Sequence, residues 1–135
     1  MQLVMDANVL FSALLKAGMT RRLLFDRRLS LYAPRFLLEE FRKNAGRLQK
    51  RSRLPKKEFV ELNRMLLSRI HWVPDPEINP FLPAARHLCS DAKDVPYLAC
   101  ALAVGADLWS RDRDLRQPRV KVWETAELAE WLETL

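Results

Sequence analysis

At 135 residues, with 49% hydrophobic and 30% charged side chains, the chain has the size of one ordinary domain and a globular rather than a disordered composition. Its longest apolar stretch, Val95 to Leu108, is broken by Pro96, Gly105 and Asp107 and falls short of the roughly 20 residues of a membrane-spanning helix. The formal charge of +6 is uneven, with 11 basic residues against 4 glutamates between Arg35 and Arg69; such a stretch attracts a polyanion, although two solvated helix faces have the same composition.

The chain opens on "QLVMD", a short buried strand ending at Asp6, followed by "ANVLFSALLKAG", whose Val9, Leu10, Ala13 and Leu14 have helical spacing with Gly18 as the stop. A second helical piece, "TRRLLFDRR", leads to the strand "LSLYA". Pro34 opens a long helix to about Arg51, Pro55 opens another to about Arg69, and "IHWV" is the third strand. Residues 74–90, with four prolines, read as a loop or a short helix. Then follow the helix "DVPYLACALAVG", the strand "ADLWS", the loop "RDRDLRQP", the strand "VKVWE" and the last helix "TAELAEWLETL". Strands alternating with helices predict an α/β fold, a mainly parallel sheet covered on both faces.

"MQLVMDANVL" has no basic leader region and carries an aspartate where a signal peptide is apolar, so a cytoplasmic, non-membrane protein is expected. Cys89 and Cys100 belong to no CxxC pair and suit reduced, buried thiols.

Ligands of open parallel sheets collect beyond the carboxyl ends of the strands. Asp6 and the pair Asp112, Asp114 fall there, and Asp94 opens the helix that leads into the Asp112 strand. On the helix after Pro34, at about 100° per residue, Leu37, Phe41, Ala45 and Leu48 form the apolar stripe; Glu40 borders it and Glu39 points away. Lys43, Arg47 and Arg51 continue the Glu40 flank as a basic ridge. Crowded carboxylates raise one another's pKa and destabilise a fold unless a cation intervenes. Their hard oxygens suit Mg²⁺ or Mn²⁺, and such an ion accepts phosphate oxygens.

Four segments, "VMDANVLFSALL", "APRFLLEEF", "DAKDVPYLACALAVGADLWSRDRDL" and "VKVWETAELAEWL", make the chain resemble a PIN domain, the fold of VapC-type toxin ribonucleases. The resemblance implies a single nuclease domain over 1–135, a three-layer α/β/α sandwich with a five-stranded, mainly parallel sheet, and a site binding Mg²⁺ or Mn²⁺. By motif, Asp6, Glu40, Asp94 and Asp112 would be the catalytic, metal-binding carboxylates and Asp114 an accessory one. Asn8 would hold Asp6 by hydrogen bonding, and Ser110 would line the site. Asp91 competes with Asp94 in the motif; the offset to "VPYLACAL" favours Asp94. Lys43, Arg47, Arg51 and Arg111 would contact RNA phosphates. The implied activity is endoribonucleolytic phosphodiester hydrolysis leaving 5′-phosphate and 3′-hydroxyl ends, a chemistry that does not use the ribose 2′-hydroxyl. The implied partners are RNA, a cognate antitoxin protein and a second copy of the chain.

Simpler roles stand beside these. Asp6 and Asp94 each sit where aspartate commonly caps a helix, and Asp112 and Asp114 where it commonly makes a turn. A catalytically silent module that binds RNA or protein would share the fold, but has no need of mutually repelling carboxylates. His71, His87, Cys89 and Cys100 have no common zinc spacing. The four tryptophans suit core or interface positions, and the three glycines form no phosphate loop.

Overall fold

The computed structural model describes all 135 residues. Strands β1 (Gln2–Met5), β2 (Ser30–Pro34), β3 (Ile70–Val73), β4 (Asp107–Trp109) and β5 (Val122–Trp123) form one sheet in the order β3-β2-β1-β4-β5. Every pairing is parallel. β1 is central because it is apolar on both faces: Leu3, Val4 and Met5 have no exposed surface, as a strand covered by helices on two sides requires.

The helices are α1 (Ala7–Leu15), α2 (Met19–Leu24), α3 (Arg35–Ser52), α4 (Lys56–Leu67), α5 (Asp75–Ile78), α6 (Leu82–Leu88), α7 (Val95–Val104) and α8 (Thr125–Glu133). α1 packs on α2, α3 and α4, and α8 on α2, while α5 and α6 pack on α7, which lies against β1, β2 and β4. The result is a three-layer α/β/α sandwich. A single cluster of 36 buried apolar residues runs through it.

Two tryptophans fix the two ends of β4. The buried Trp109 donates its indole N–H to Thr125 Oγ1 at 3.1 Å, and Trp123 donates to Asp107 Oδ2 at 2.9 Å. Cys89 and Cys100 are free and buried. No helix is long and apolar enough to cross a membrane.

Some boundaries differ from expectation. α1 ends at Leu15, before Gly18, which has an extended φ of −129° and instead stands at the N-cap of α2. α2 is shorter than predicted, ending at Leu24, and beyond it Arg69 takes up the freed carbonyls: its guanidinium donates to Leu24 O at 3.0 Å, Asp26 O at 2.8 Å and Leu29 O at 3.0 Å. These bonds close the turn that carries the chain into β2. Arg69→Ala leaves three carbonyls without that donor and is expected to cost about 2–3 kcal/mol, read as a lower urea midpoint with an unchanged slope. Residues 74–90 are mostly helical, with Pro76, Pro80 and Pro83 in first-turn positions where a missing N–H is harmless.

Candidate metal centre

The strand order reverses direction between β1 and β4, so the chains leaving their carboxyl ends diverge and open a crevice. Asp6 follows β1 and Ser110 follows β4, immediately after the paired residues Met5 and Trp109. Asp6 Oδ1 accepts the Val9 N–H at 3.0 Å, capping α1. Its Oδ2 accepts the Ser110 hydroxyl in a short bond, and Ser110 Oγ in turn accepts the Asp112 N–H at 2.9 Å. The fully buried Ser110 thus ties the ends of the two central strands together and orients Asp112.

Asp112 Oδ1 accepts the Asp114 N–H at 2.9 Å and starts the 3-10 turn Arg113–Leu115. Across the crevice, Asp91 Oδ1 accepts the Lys93 N–H at 3.0 Å, and the Asp94 N–H donates to Asp91 O at 3.0 Å. This tight turn delivers Asp94 to the start of α7. Asp94 occupies the N-cap position but does not cap: its φ, ψ of −87°, −23° are helical and its side chain accepts no backbone N–H. Its carboxylate turns inward instead, only 6% exposed, with Oδ2 buried and without a hydrogen-bond partner.

Asp91, Asp94, Asp112 and Asp114 each place a carboxylate oxygen within 4.8 Å of the others. The cleft, about 490 Å³, is lined by Asp6, Asn8, Glu40, Asp91, Asp94 and Asp112, walled by Phe36, Pro96 and Tyr97, and has Lys93 as its sole cation. Burial first, then the closeness of the Asp112 carboxyl and the charges of Asp112, Asp91 and Asp6, push the Asp94 carboxyl up to about 7. Burial also raises Asp6, partly offset by the bonds from Ser110 and Val9. Tyr97 packs edge-on against Phe36, ring centroids 5.6 Å apart, and burial with the nearby Asp6 and Glu40 charges raises its phenol, which stays neutral.

A site of hard oxygen donors, with one buried oxygen left unpartnered, is compatible with a divalent cation. Of the residues expected at the site, Asp6, Asn8, Glu40, Asp94 and Asp112 line the cleft. Asp114 joins the carboxylate cluster but not the cleft wall. The geometric hydrogen bonds to the Asp6 carboxylate come from Val9 N–H, on the third residue of α1, and from the Ser110 hydroxyl, and the Asn8 backbone N–H adds to them in holding its charge. Glu39 lies in a separate shallow recess with Arg35 and Pro74. Lys43, Arg47, Arg51 and Arg111 are exposed and line no part of the cleft; Arg47 is turned to Asn44. Asp91, weighed only as an alternative to Asp94, contributes alongside it. Phe36, Lys93 and Tyr97 escaped the sequence reading, though Phe36 is one turn from Glu40 and Tyr97 three residues from Asp94, on the same helix faces.

Fold and cleft define a class: a parallel α/β protein with a polycarboxylate site at the switch point of its sheet. A family profile for the PIN domain matches residues 4–133, and the chain belongs to the PIN domain family. Two solved structures share the fold. VapBC2 from Rickettsia felis, crystallised bound to a DNA fragment from its promoter, superposes with a TM-score of 0.70 at 15% identity, covering 92% of this chain and 98% of that one. PAE2754 from Pyrobaculum aerophilum superposes with a TM-score of 0.70 at 17% identity, covering 99% and 90%. No curated protein matches in sequence.

Proposed function

We propose that this chain is a metal-dependent endoribonuclease that hydrolyses phosphodiester bonds in single-stranded or structured RNA, using Mg²⁺ or Mn²⁺. The observation that carries this reading is Asp94: a buried carboxylate with an unpartnered oxygen, set among other carboxylates, is costly to a protein that does not use it. The catalytically silent binding module is disfavoured on that ground.

Asp91, Asp94 and Asp112, common to the cluster and the cleft, would hold the ion, with Asp6, Glu40 and Asp114 completing the negative field. A divalent cation supplies Lewis acidity toward phosphate and lowers the pKa of water. The protein's own groups do the rest. Ser110 fixes Asp6 and the Asp112 backbone in one arrangement, so these carboxylates need no reorganisation when substrate arrives. Phe36 and Tyr97 narrow the cleft and limit water. Lys93 offsets carboxylate repulsion toward an approaching phosphate, and the exposed stripe of Lys43, Arg47 and Arg51 would guide the RNA backbone.

The shared fold with the Rickettsia felis VapBC2 structure supports a toxin role, with a cognate antitoxin and a homodimer as partners and the cytoplasm as location. The deciding experiment incubates labelled single-stranded RNA with purified protein and Mg²⁺ or Mn²⁺, with and without EDTA, beside Asp6→Asn and Asp94→Asn. The expected result is cleavage by the native protein alone, abolished by EDTA and leaving 5′-phosphates. Cleavage indifferent to chelator and to both substitutions rejects the proposal.

A further inference from the structure

Next to the acidic cleft lies a second recess of about 480 Å³, within the roughly 300–1,000 Å³ usual for small-ligand sites. The two share Ala92 and Pro96 as a common wall. Their chemistry is opposite. The cleft holds five carboxylates, Asp6, Glu40, Asp91, Asp94 and Asp112; the recess holds none, and combines the apolar surfaces of Leu82, Val95 and Pro96 with the polar side chains of Arg86 and Ser90. Both polar residues are exposed, and neither side chain bonds to another group of the protein. Arg86 offers a planar, five-donor guanidinium and Ser90 a hydroxyl.

We infer that this recess receives the base of a nucleotide flanking the scissile phosphate and sets the base preference of cleavage. The inference rests on the nuclease reading of the adjoining cleft. An apolar wall faced by unengaged planar donors fits the flat face and edge acceptors of an unstacked base, the recognition chemistry of single-stranded RNA. A phosphate would need more than one cation and gain nothing from Leu82 and Val95. Continuity fixes the occupant: the two recesses meet at Ala92 and Pro96, so a strand whose phosphodiester lies at the carboxylates has this recess as a neighbouring pocket for a base. The ridge is rigid, because Pro96 sits in the first turn of α7, and Cys89 packs its Sγ 3.7 Å from both Asp91 O and Asp114 O, joining the recess floor to the carboxylate loops.

Arg86→Ala and Ser90→Trp alter exposed positions outside the acidic set, the first removing donors and the second filling the recess. A randomised RNA pool is cut with Mn²⁺ and the ends sequenced; separately, ¹⁵N-labelled metal-free protein is titrated with each of the four nucleosides. The native protein is expected to favour one base beside the cut. Each variant should lose about tenfold of that preference, the size of a lost bond to a charged donor, while still cleaving. The favoured nucleoside should shift the amides of Arg86 and Ser90. Native cleavage without base preference, or a preference that both variants retain, overturns the recess while leaving the nuclease standing. Nucleoside shifts at Arg86 and Ser90 without any cleavage reject the nuclease and with it the role in cleavage preference, leaving a nucleoside-binding recess alone. Neither shifts nor cleavage rejects both.

Discussion

Asp94→Asn is expected to abolish RNA cleavage while making the metal-free protein more stable at neutral pH. The two effects share a cause. The Asp94 carboxyl is raised from 3.8 to about 7 by burial and by the neighbouring Asp112, Asp91 and Asp6. Between those values the folded protein keeps a proton that the unfolded chain has released. Stability from this group is therefore complete below pH 4 and is lost as pH rises through 7, a change of at most about 4 kcal/mol. Asp26, held down to about 2 by Arg28, titrates below this window and leaves the slope to the cleft. Asparagine carries no charge to bury, so the variant's urea midpoint should fall less between about pH 4 and 8 than that of the native protein, the slope that remains coming from Asp6, which burial also raises. Mg²⁺ or Mn²⁺ should restore the native protein at pH 8, since an ion that binds only the folded state stabilises it, and should do little for Asp94→Asn. Cleavage should fall by about a thousandfold, corresponding to the several kcal/mol a metal supplies to phosphoryl chemistry. A native stability that rises with pH across this window, or an Asp94→Asn protein stabilised by metal as much as the native one, would contradict the assignment.

What the sequence makes legible here is decided by how locally each feature is encoded. β1 and β4 are short apolar runs ending in polar residues, so period and punctuation alone place Asp6 and Asp112 at the carboxyl edge of the sheet. The same logic fails to separate Asp6 from Asp94. Both precede a helix, and only the backbone distinguishes them: Asp6 has the extended ψ of 175° that lets its side chain reach the Val9 N–H, whereas Asp94, at ψ −23°, turns into the cleft. The Glu40 stripe shows a different limit. Helical periodicity correctly sets Glu40, Lys43, Arg47 and Arg51 on one flank, but a rise of about 1.5 Å per residue carries Arg51 roughly 16 Å beyond Glu40 along the axis. One flank therefore reaches from the cleft to open surface. Asp91 reads from the sequence only as an alternative to Asp94, because its place beside Asp94 depends on a turn closed by its own carboxylate and carbonyl, which spacing does not encode.

Asp6 carries two duties that substitution can separate. Asparagine caps helices as well as aspartate does, so Asp6→Asn should keep α1 intact; its amide NH2 cannot accept the Ser110 hydroxyl as Oδ2 does, but relief of a carboxylate raised by burial offsets that loss, and thermal stability should stay close to that of the native protein. Asp6→Ala removes the cap of Val9, costing about 1 kcal/mol, and strips the Ser110 hydroxyl of its acceptor inside a fully buried site, adding about 1–3 kcal/mol. Ser110→Ala should resemble Asp6→Ala in stability, because it orphans Asp6 Oδ2 and the Asp112 N–H together. Both Asp6 variants should nevertheless lose cleavage alike, and Mn²⁺ affinity by calorimetry should drop in both, since each removes a unit of negative charge from beside Asp94 and Asp112. Thermal midpoints then report the cap and the buried hydrogen bonds, while metal affinity reports the charge. Should Asp6→Asn bind Mn²⁺ and cut RNA as the native protein does, the Asp6 carboxylate is a helix cap alone, and the field that holds the ion is supplied by Asp91, Asp94 and Asp112 without it.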